Sequence, residues 1–449
     1  MKYVIIGNGV AGIHAAEAIR QLDTEGSITM IGDEAHDPYC RPMISHVLDG
    51  SVTPDRLPIR DAGFYDELNI TPVLGKRVTG IDVNNQTVFI QEKTGSSSMD
   101  TSHTLMGLIC KLLSVLLGDD PGSETGPKDF RKVFPYDKLL IATGADPRPV
   151  KAEGLNLKNI FYMRTQEHVS QMLEVLPDAE NALVLGGGLV GFKAAYGLLR
   201  RGLNVTMLIR SGYPLSMQVD ETAGKIILDE LLSHGLKVKT GTEVKVFEGT
   251  DRVKAAHLSD GTEVSCDMVV IGKGVLPALS FVPDKIQTDL GILVNPYMET
   301  SIPGIFAAGD VAESVDISRK TPWVNAIWPE AVNQGRAAGM NMAGRQVAYK
   351  GSLSRNVIRI FNLDVMTAGI VNPPDDPSYE ILSSRNNRLD IYRKLVFRED
   401  KLVGYVMVNS VEQGGILTSL IQNEIPVRKD CQWSVVSSPL SVISGQLTN

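Results

Sequence analysis

The sequence predicts an α/β fold: two domains, each a parallel sheet layered between helices, followed by a smaller C-terminal α+β domain. Three observations predict it. A short apolar strand, a glycine turn and a helix open the chain; the same device recurs near residue 182; and residues beyond about 350 alternate apolar and polar side chains as an antiparallel sheet does. At 449 residues the chain has room for about three domains that each bury a core.

Residues 3–12 read Y-V-I-I-G-N-G-V-A-G, with Gly7, Gly9 and Gly12 at G-x-G-x-x-G spacing and a helical pattern through Ala15, Ala16, Ala18 and Ile19. Each glycine has its own reason. The first turn is too sharp for a side chain, the second position lets backbone N–H groups approach a pyrophosphate, and the third allows close helix–strand packing. The helix N-terminus then faces the anion. A second β-run, Ser27–Ile31, leads to Asp33, where a carboxylate can accept a hydrogen bond from a ribose hydroxyl.

The pattern returns in A-L-V-L-G-G-G-L-V-G-F-K-A-A, residues 182–195, with Gly186, Gly188 and Gly191 in the same places and a strand at Asn204–Ile209. Two Rossmann-like units, and so two dinucleotides, are implied. Aligning T-M-I-G-D (Thr29–Asp33) with T-M-L-I-R (Thr206–Arg210) puts Arg210 where the first copy carries its acid. An arginine there can pair with a 2′-phosphate, which favours NADPH. As a solvated residue at a strand end it would instead leave NADH as the nucleotide, and both readings stay open. Lys193, in the helix after the second loop, is a further oddity.

Composition removes several function classes. With 43% hydrophobic and 21% charged residues, and no apolar run near the roughly 20 residues that span a bilayer, the chain reads as globular rather than transmembrane. Met1 and Lys2 lead straight into the first strand, which leaves no room for a secretory leader, so a cytoplasmic protein is expected. Cys40, Cys110, Cys266 and Cys431 form no C-x-x-C pair, which predicts neither disulfides nor a metal or iron–sulfur site. A net charge of -8 argues against nucleic acid as a partner.

Between the two loops lies Y-D-K-L-L-I-A-T-G-A-D-P-R-P (Tyr136–Pro149), after the second comes M-V-V-I-G-K-G-V-L-P (Met268–Pro277), and then T-S-I-P-G-I-F-A-A-G-D-V-A-E (Thr300–Glu313). With these strings the chain resembles the two-dinucleotide-domain flavoproteins, the pyridine nucleotide–disulfide oxidoreductases. P-Y-C-R-P-M-I-S (Pro38–Ser45) and A-I-W-P-E-A-V-N-Q-G-R (Ala326–Arg336) make it similar to the branch holding rubredoxin and ferredoxin reductases, the flavin part of nitrite reductase and related NADH oxidases. The resemblance implies FAD against the first loop, with Ala142, Thr143, Gly144 and Gly309 beside it and Asp310 on its ribityl chain. It also puts Arg41 and Pro42 near the flavin ring and aims the helix beginning near Pro329 at the ring's pyrimidine edge. A helix N-terminus carries about half a positive charge, which stabilises a reduced, anionic flavin. NADH or NADPH is implied at Gly186, Gly188, Gly191, Arg210 and Gly272. The activity implied is hydride transfer from the nicotinamide to FAD, then electron transfer to a small redox protein such as rubredoxin or ferredoxin, or to a partner subunit. Hydride transfer needs placement rather than an acid–base residue, so no general base is nominated.

The expected order is an FAD-binding domain at 1–148 and 277–345, a nicotinamide-binding domain at 149–276, and a C-terminal α+β domain at 346–449, which in relatives makes a homodimer contact. R-N-V-I-R-I-F, L-D-I-Y-R-K-L-V-F and L-V-G-Y-V-M-V are its candidate strands and Gly415–Gln422 its helix. Two segments depart from the family pattern: an insertion at 96–132 and a Ser-rich tail at 431–449. The apolar stretch Leu105–Leu117 in the insertion is either a helix packed on its own protein or one that docks a partner or a membrane surface.

Cys40 raises a second function. Family members that reduce coenzyme A disulfide, persulfide, peroxide or oxygen hold a single thiol here in a C-x-x-P context, whereas this chain has C-R-P. One residue re-aims the side chain, while Arg41 beside it would lower a thiol pKa. A third reading is an FAD-binding scaffold whose nicotinamide site has decayed, prompted by Lys193 and the missing acid after Leu208.

Overall fold

The structure is a computed structural model that describes residues 1–91 and 131–428. The tail at 431–449, with Cys431, lies outside the described residues. So does the expected insertion, with Leu105–Leu117 and Cys110, except for Arg131 and Lys132, which begin the strand Arg131–Pro135.

The first sheet is parallel and five-stranded, in the order Ile305–Ala307, Lys138–Ile141, Lys2–Ile6, Ser27–Ile31, Ile70–Val73. Its central strand Lys2–Ile6 is buried at every position after Lys2. Both faces are therefore covered, as parallel sheets require. One covering element is the helix Val10–Leu22 and another is the helix Trp328–Met342. These two helices cross at van der Waals distance of their backbones: a Cβ on Gly335 would lie 2.2 Å from the Ala11 carbonyl oxygen, and one on Gly339 would lie 2.3 Å from that of Ala15. Because 335 meets 11 and 339 meets 15, the helices run parallel and present their N-termini to the same side.

The second sheet repeats the plan in the order Lys237–Thr240, Asn204–Ile209, Asn181–Leu185, Met268–Ile271, Ile160–Tyr162, again parallel. Its loop helix is Leu189–Arg200. The chain passes between the two sheets along a two-stranded ribbon. Ala145–Pro147 leads out and Val275–Pro277 returns, paired antiparallel, with Arg148 N–H donating to the Gly274 carbonyl at 2.9 Å.

The C-terminal unit is an antiparallel sheet in the order Arg355–Ile360, Leu363–Gly369, Lys401–Val408, Ile391–Arg398, Tyr379–Asn386, with the helix Gly414–Gln422 packed on it. Two of these strands escape the sequence reading. Tyr379–Asn386 is an edge strand with one buried residue, Leu382, so it carries no apolar alternation. In Leu363–Gly369 the apolar residues are interrupted by Asp364 and Thr367. No helix among the described residues is long and apolar enough to cross a membrane.

Candidate active site

The two glycine loops use their glycines alike. In the first, Gly7 holds φ +121°, and a Cβ there would lie 2.1 Å from the Ala142 carbonyl oxygen; a Cβ on Gly12 would lie 2.0 Å from that of Gly7. Both residues are glycine because the protein's own backbone fills the space. Gly9 differs, since a Cβ there meets nothing within 4 Å. It caps the helix Val10–Leu22 in extended conformation, and no side chain covers the helix N-terminus. In the second loop a Cβ would lie 2.5 Å from the Gly272 carbonyl oxygen at Gly186 and 1.9 Å from that of Gly186 at Gly191, while Gly188 again meets nothing. Gly272 packs on Gly191, where its own Cβ would come within 2.5 Å of the Cα. Each middle glycine thus faces an open place at an uncapped helix N-terminus, the space a pyrophosphate takes against backbone N–H groups. The residues present fit two dinucleotides.

Strand register sets the ends of the two sites. Gly7 N–H donates to the Ile31 carbonyl at 2.7 Å and Gly186 N–H to the Leu208 carbonyl at 2.9 Å. Ile31 and Leu208 are therefore equivalent, and two residues further on stand Asp33 and Arg210. Asp33 is exposed and pairs with Arg77 at 3.0 Å. Arg210 is exposed; the acid in its field is Glu243, whose carboxyl is held low first by its hydrogen bond to Lys273 and then by Arg210 and Lys245.

A chain of charges links the first site to the second unit. Arg41, half-buried in the turn Arg41–Met43, pairs with Glu34 at 2.5 Å and donates to the Arg164 carbonyl at 2.8 Å. Arg164 donates to the Ala145 carbonyl at 2.9 Å and pairs with Asp310 at 3.1 Å. Glu34 also accepts from the Tyr39 hydroxyl at 2.7 Å. Asp310 follows Gly309, which holds φ +82° and donates its N–H to the buried Gln334 side chain at 2.8 Å. Ala142 is buried and donates to the Ile6 carbonyl, Thr143 hydrogen-bonds the Ala278 carbonyl at 3.3 Å, and Gly144 turns the chain at φ +70°. Pro42 is exposed, beside Arg41. Pro329 stands in the first turn of Trp328–Met342, whose N-terminus has no side-chain cap. Glu330 behind it is buried, hydrogen-bonded by the Tyr349 hydroxyl and 3.4 Å from the Arg355 guanidinium.

The first site's residues thus gather at one edge of the first sheet, with two helix N-termini, while the second loop belongs to the other unit, tied to this edge through Arg164. Glu34 and Arg164 escape the sequence reading. Arg164 stands 146 residues from Asp310, and no local pattern marks such a pair.

Cys40 differs from expectation. Arg41 is turned toward Glu34 and Arg164, and burial pushes the Cys40 thiol up, against smaller opposing effects from the Met43 N–H and the Lys193 charge. The neighbouring arginine does not activate it.

The profile of the pyridine nucleotide-disulphide oxidoreductase family matches residues 1–335. The chain belongs to this family. Its members are NAD(P)H-dependent oxidoreductases that bind FAD. Residues 355–425 match the C-terminal domain of rubredoxin NAD+ reductase. The chain is 28% identical over 447 residues to a nitrite reductase (NAD(P)H) of Bacillus subtilis, covering 99% of this chain and 50% of that protein. It therefore spans half the length of that relative. It is 28% identical to the epsilon subunit of the NADH-dependent phenylglyoxylate dehydrogenase of Aromatoleum evansii, covering 98% and 96% of the two chains. The structure of NADH:rubredoxin oxidoreductase from Clostridium acetobutylicum superimposes with a TM-score of 0.70 at 25% identity, covering 94% of this chain and 95% of the other.

Proposed function

We propose that the chain takes a hydride from NADPH or NADH bound at the second glycine loop, passes it to FAD bound at the first, and delivers electrons to a small redox protein or a partner subunit. The observation that carries this reading is the pair of loops whose middle glycines, Gly9 and Gly188, leave space that no protein atom fills. FAD, when bound, supplies the two-electron to one-electron conversion. The protein's part is placement. Gly7, Gly9 and Gly12 admit the pyrophosphate, Asp33 takes the adenosine ribose, and Ala142, Thr143, Gly144 and Gly309 line the path. Asp310, held by Arg164, orients the ribityl chain, while Arg41 and Pro42 edge the ring. The helix at Pro329 offers its N-terminus to developing negative charge. Gly186, Gly188, Gly191 and Gly272 hold the second nucleotide, with Arg210 at its ribose end.

The relatives' names support the acceptor class: rubredoxin for one, a larger enzyme complex for another. The C-terminal sheet suits a homodimer contact or an acceptor dock. The test is anaerobic addition of NADPH or NADH to the yellow holoenzyme, with the released cofactor identified. Rapid flavin bleaching supports the proposal; FMN, or bound FAD that neither nucleotide reduces, overturns it.

A second reading, a reductase of disulfide, persulfide or peroxide using Cys40, draws on the Lys193 charge that bears on the thiol. Burial opposes it.

A further inference from the structure

Lys193 lies on the helix Leu189–Arg200, one turn beyond the second loop, and is half-buried. Among the described residues its ammonium has no hydrogen-bond or ion-pair partner. The helix fixes where it points. Lys193, Gly197 and Arg201 are spaced i, i+4, i+8 and share one face. A Cβ on Gly197 would touch the Leu48 side chain at 3.2 Å, and Arg201 donates to the Leu48 carbonyl at 2.8 Å and the Val47 carbonyl at 3.2 Å. That face therefore runs along the segment Cys40–Leu48, and Lys193 occupies the end where the Cys40 thiol feels its charge. Cys40 is adjacent to Arg41, which connects through Arg164 to Asp310. An uncompensated cation thus stands at the seam between the two dinucleotide sites, where a hydride donor must lie to reach the flavin. Burial lowers the ammonium's pKa, as expected of a cation with no acid beside it.

A dihydronicotinamide ring is neutral. When it gives up a hydride, a proton with two electrons, it is left with one positive charge, and the hydride and its electron pair pass to the flavin. Building on the function proposed above, we infer that Lys193 makes the seam select the neutral, reduced nicotinamide over the cationic, oxidised one. Like charges in a part-buried site repel more strongly than in water, so Lys193 hastens release of the oxidised nucleotide.

The test compares two ligands on the oxidised holoenzyme by calorimetry: the oxidised form of whichever nucleotide bleaches the flavin, and its 1,4,5,6-tetrahydro analogue, whose ring is neutral and cannot deliver hydride. Lys193→Met should tighten the oxidised nucleotide about tenfold and leave the analogue within about twofold, while Lys193→Arg binds both as wild type does. Equal tightening of both ligands, or of neither, overturns the inference. If Lys193→Met loses FAD, Lys193→Gln makes the same comparison. Absence of flavin bleaching in the wild type would sink the underlying function instead, so the two failures are distinct.

Discussion

At the scale of single residues, burial and pairing decide what each group can do. The Cys40 thiol is raised by burial, and Cys266, fully inside the second unit, is pushed up to about 12. A thiol held above its ordinary range is mostly protonated at neutral pH and a poor nucleophile. Iodoacetamide should therefore label Cys40 slowly at pH 7 in the holoenzyme, and Cys40→Ser should keep its rate both with artificial one-electron acceptors and with the natural acceptor. A loss of about a hundredfold or more with the natural acceptor, on the order of 2.7 kcal/mol of barrier, would make the thiol catalytic. Arg210 stands exposed at the strand position equivalent to Asp33. Arg210→Glu should raise KM for NADPH far more than for NADH, because a charge-assisted contact to a 2′-phosphate becomes repulsion; steady-state kinetics with equal effects on both nucleotides would show that Arg210 is merely solvated. The glycine positions were legible because residue type records backbone conformation. The Arg164–Asp310 pair was not, because side chains that meet only after two units dock leave no local signal, and the Glu34–Arg41 pair was not, because its seven-residue spacing spans irregular chain with no periodic pattern to mark it.

At the scale of elements, the glycines separate folding from binding. A Cβ on Gly9 meets no protein atom, so Gly9→Val should fold with an unchanged circular dichroism spectrum yet elute without FAD. Gly12→Val sets a side chain 2.0 Å from a backbone carbonyl and should fail to fold. If Gly9→Val instead retains FAD, the open space is not the pyrophosphate site. The parallel helix pair obeys the same logic. Gly335→Ala forces the helices Val10–Leu22 and Trp328–Met342 apart and should cost about 1–3 kcal/mol, read as a Tm several degrees lower. The buried parallel strands were readable as apolar runs. The exposed edge strand Tyr379–Asn386 was not, because a strand with one buried residue has the composition of a loop.

At the scale of the molecule, the C-terminal sheet is tied to the flavin side by Arg355, which reaches the buried Glu330 in the first turn of Trp328–Met342. Glu330 is buried while Arg355 is part-exposed, so Arg355→Leu should lower stability by about 1–3 kcal/mol in chemical denaturation, with the Tyr349 hydroxyl left as the carboxylate's partner. A change below about 1 kcal/mol would mean that Glu330 is already satisfied by Tyr349. The ribbon of Ala145–Pro147 and Val275–Pro277 has a consequence of another kind. Because the outgoing and returning strands lie side by side, the backbone enters and leaves everything between them at a single point, like a pendant on a loop of thread, while side-chain contacts such as Arg164–Asp310 and Arg201–Leu48 hold the pendant against its host. Such a module can be gained, lost or exchanged without rethreading its host. Bridging Arg148 to Gly274 with a short turn, with polar residues replacing Val47, Leu48 and Ile358, which share a core with the removed unit, should therefore yield a shortened yellow protein that no nicotinamide nucleotide can bleach.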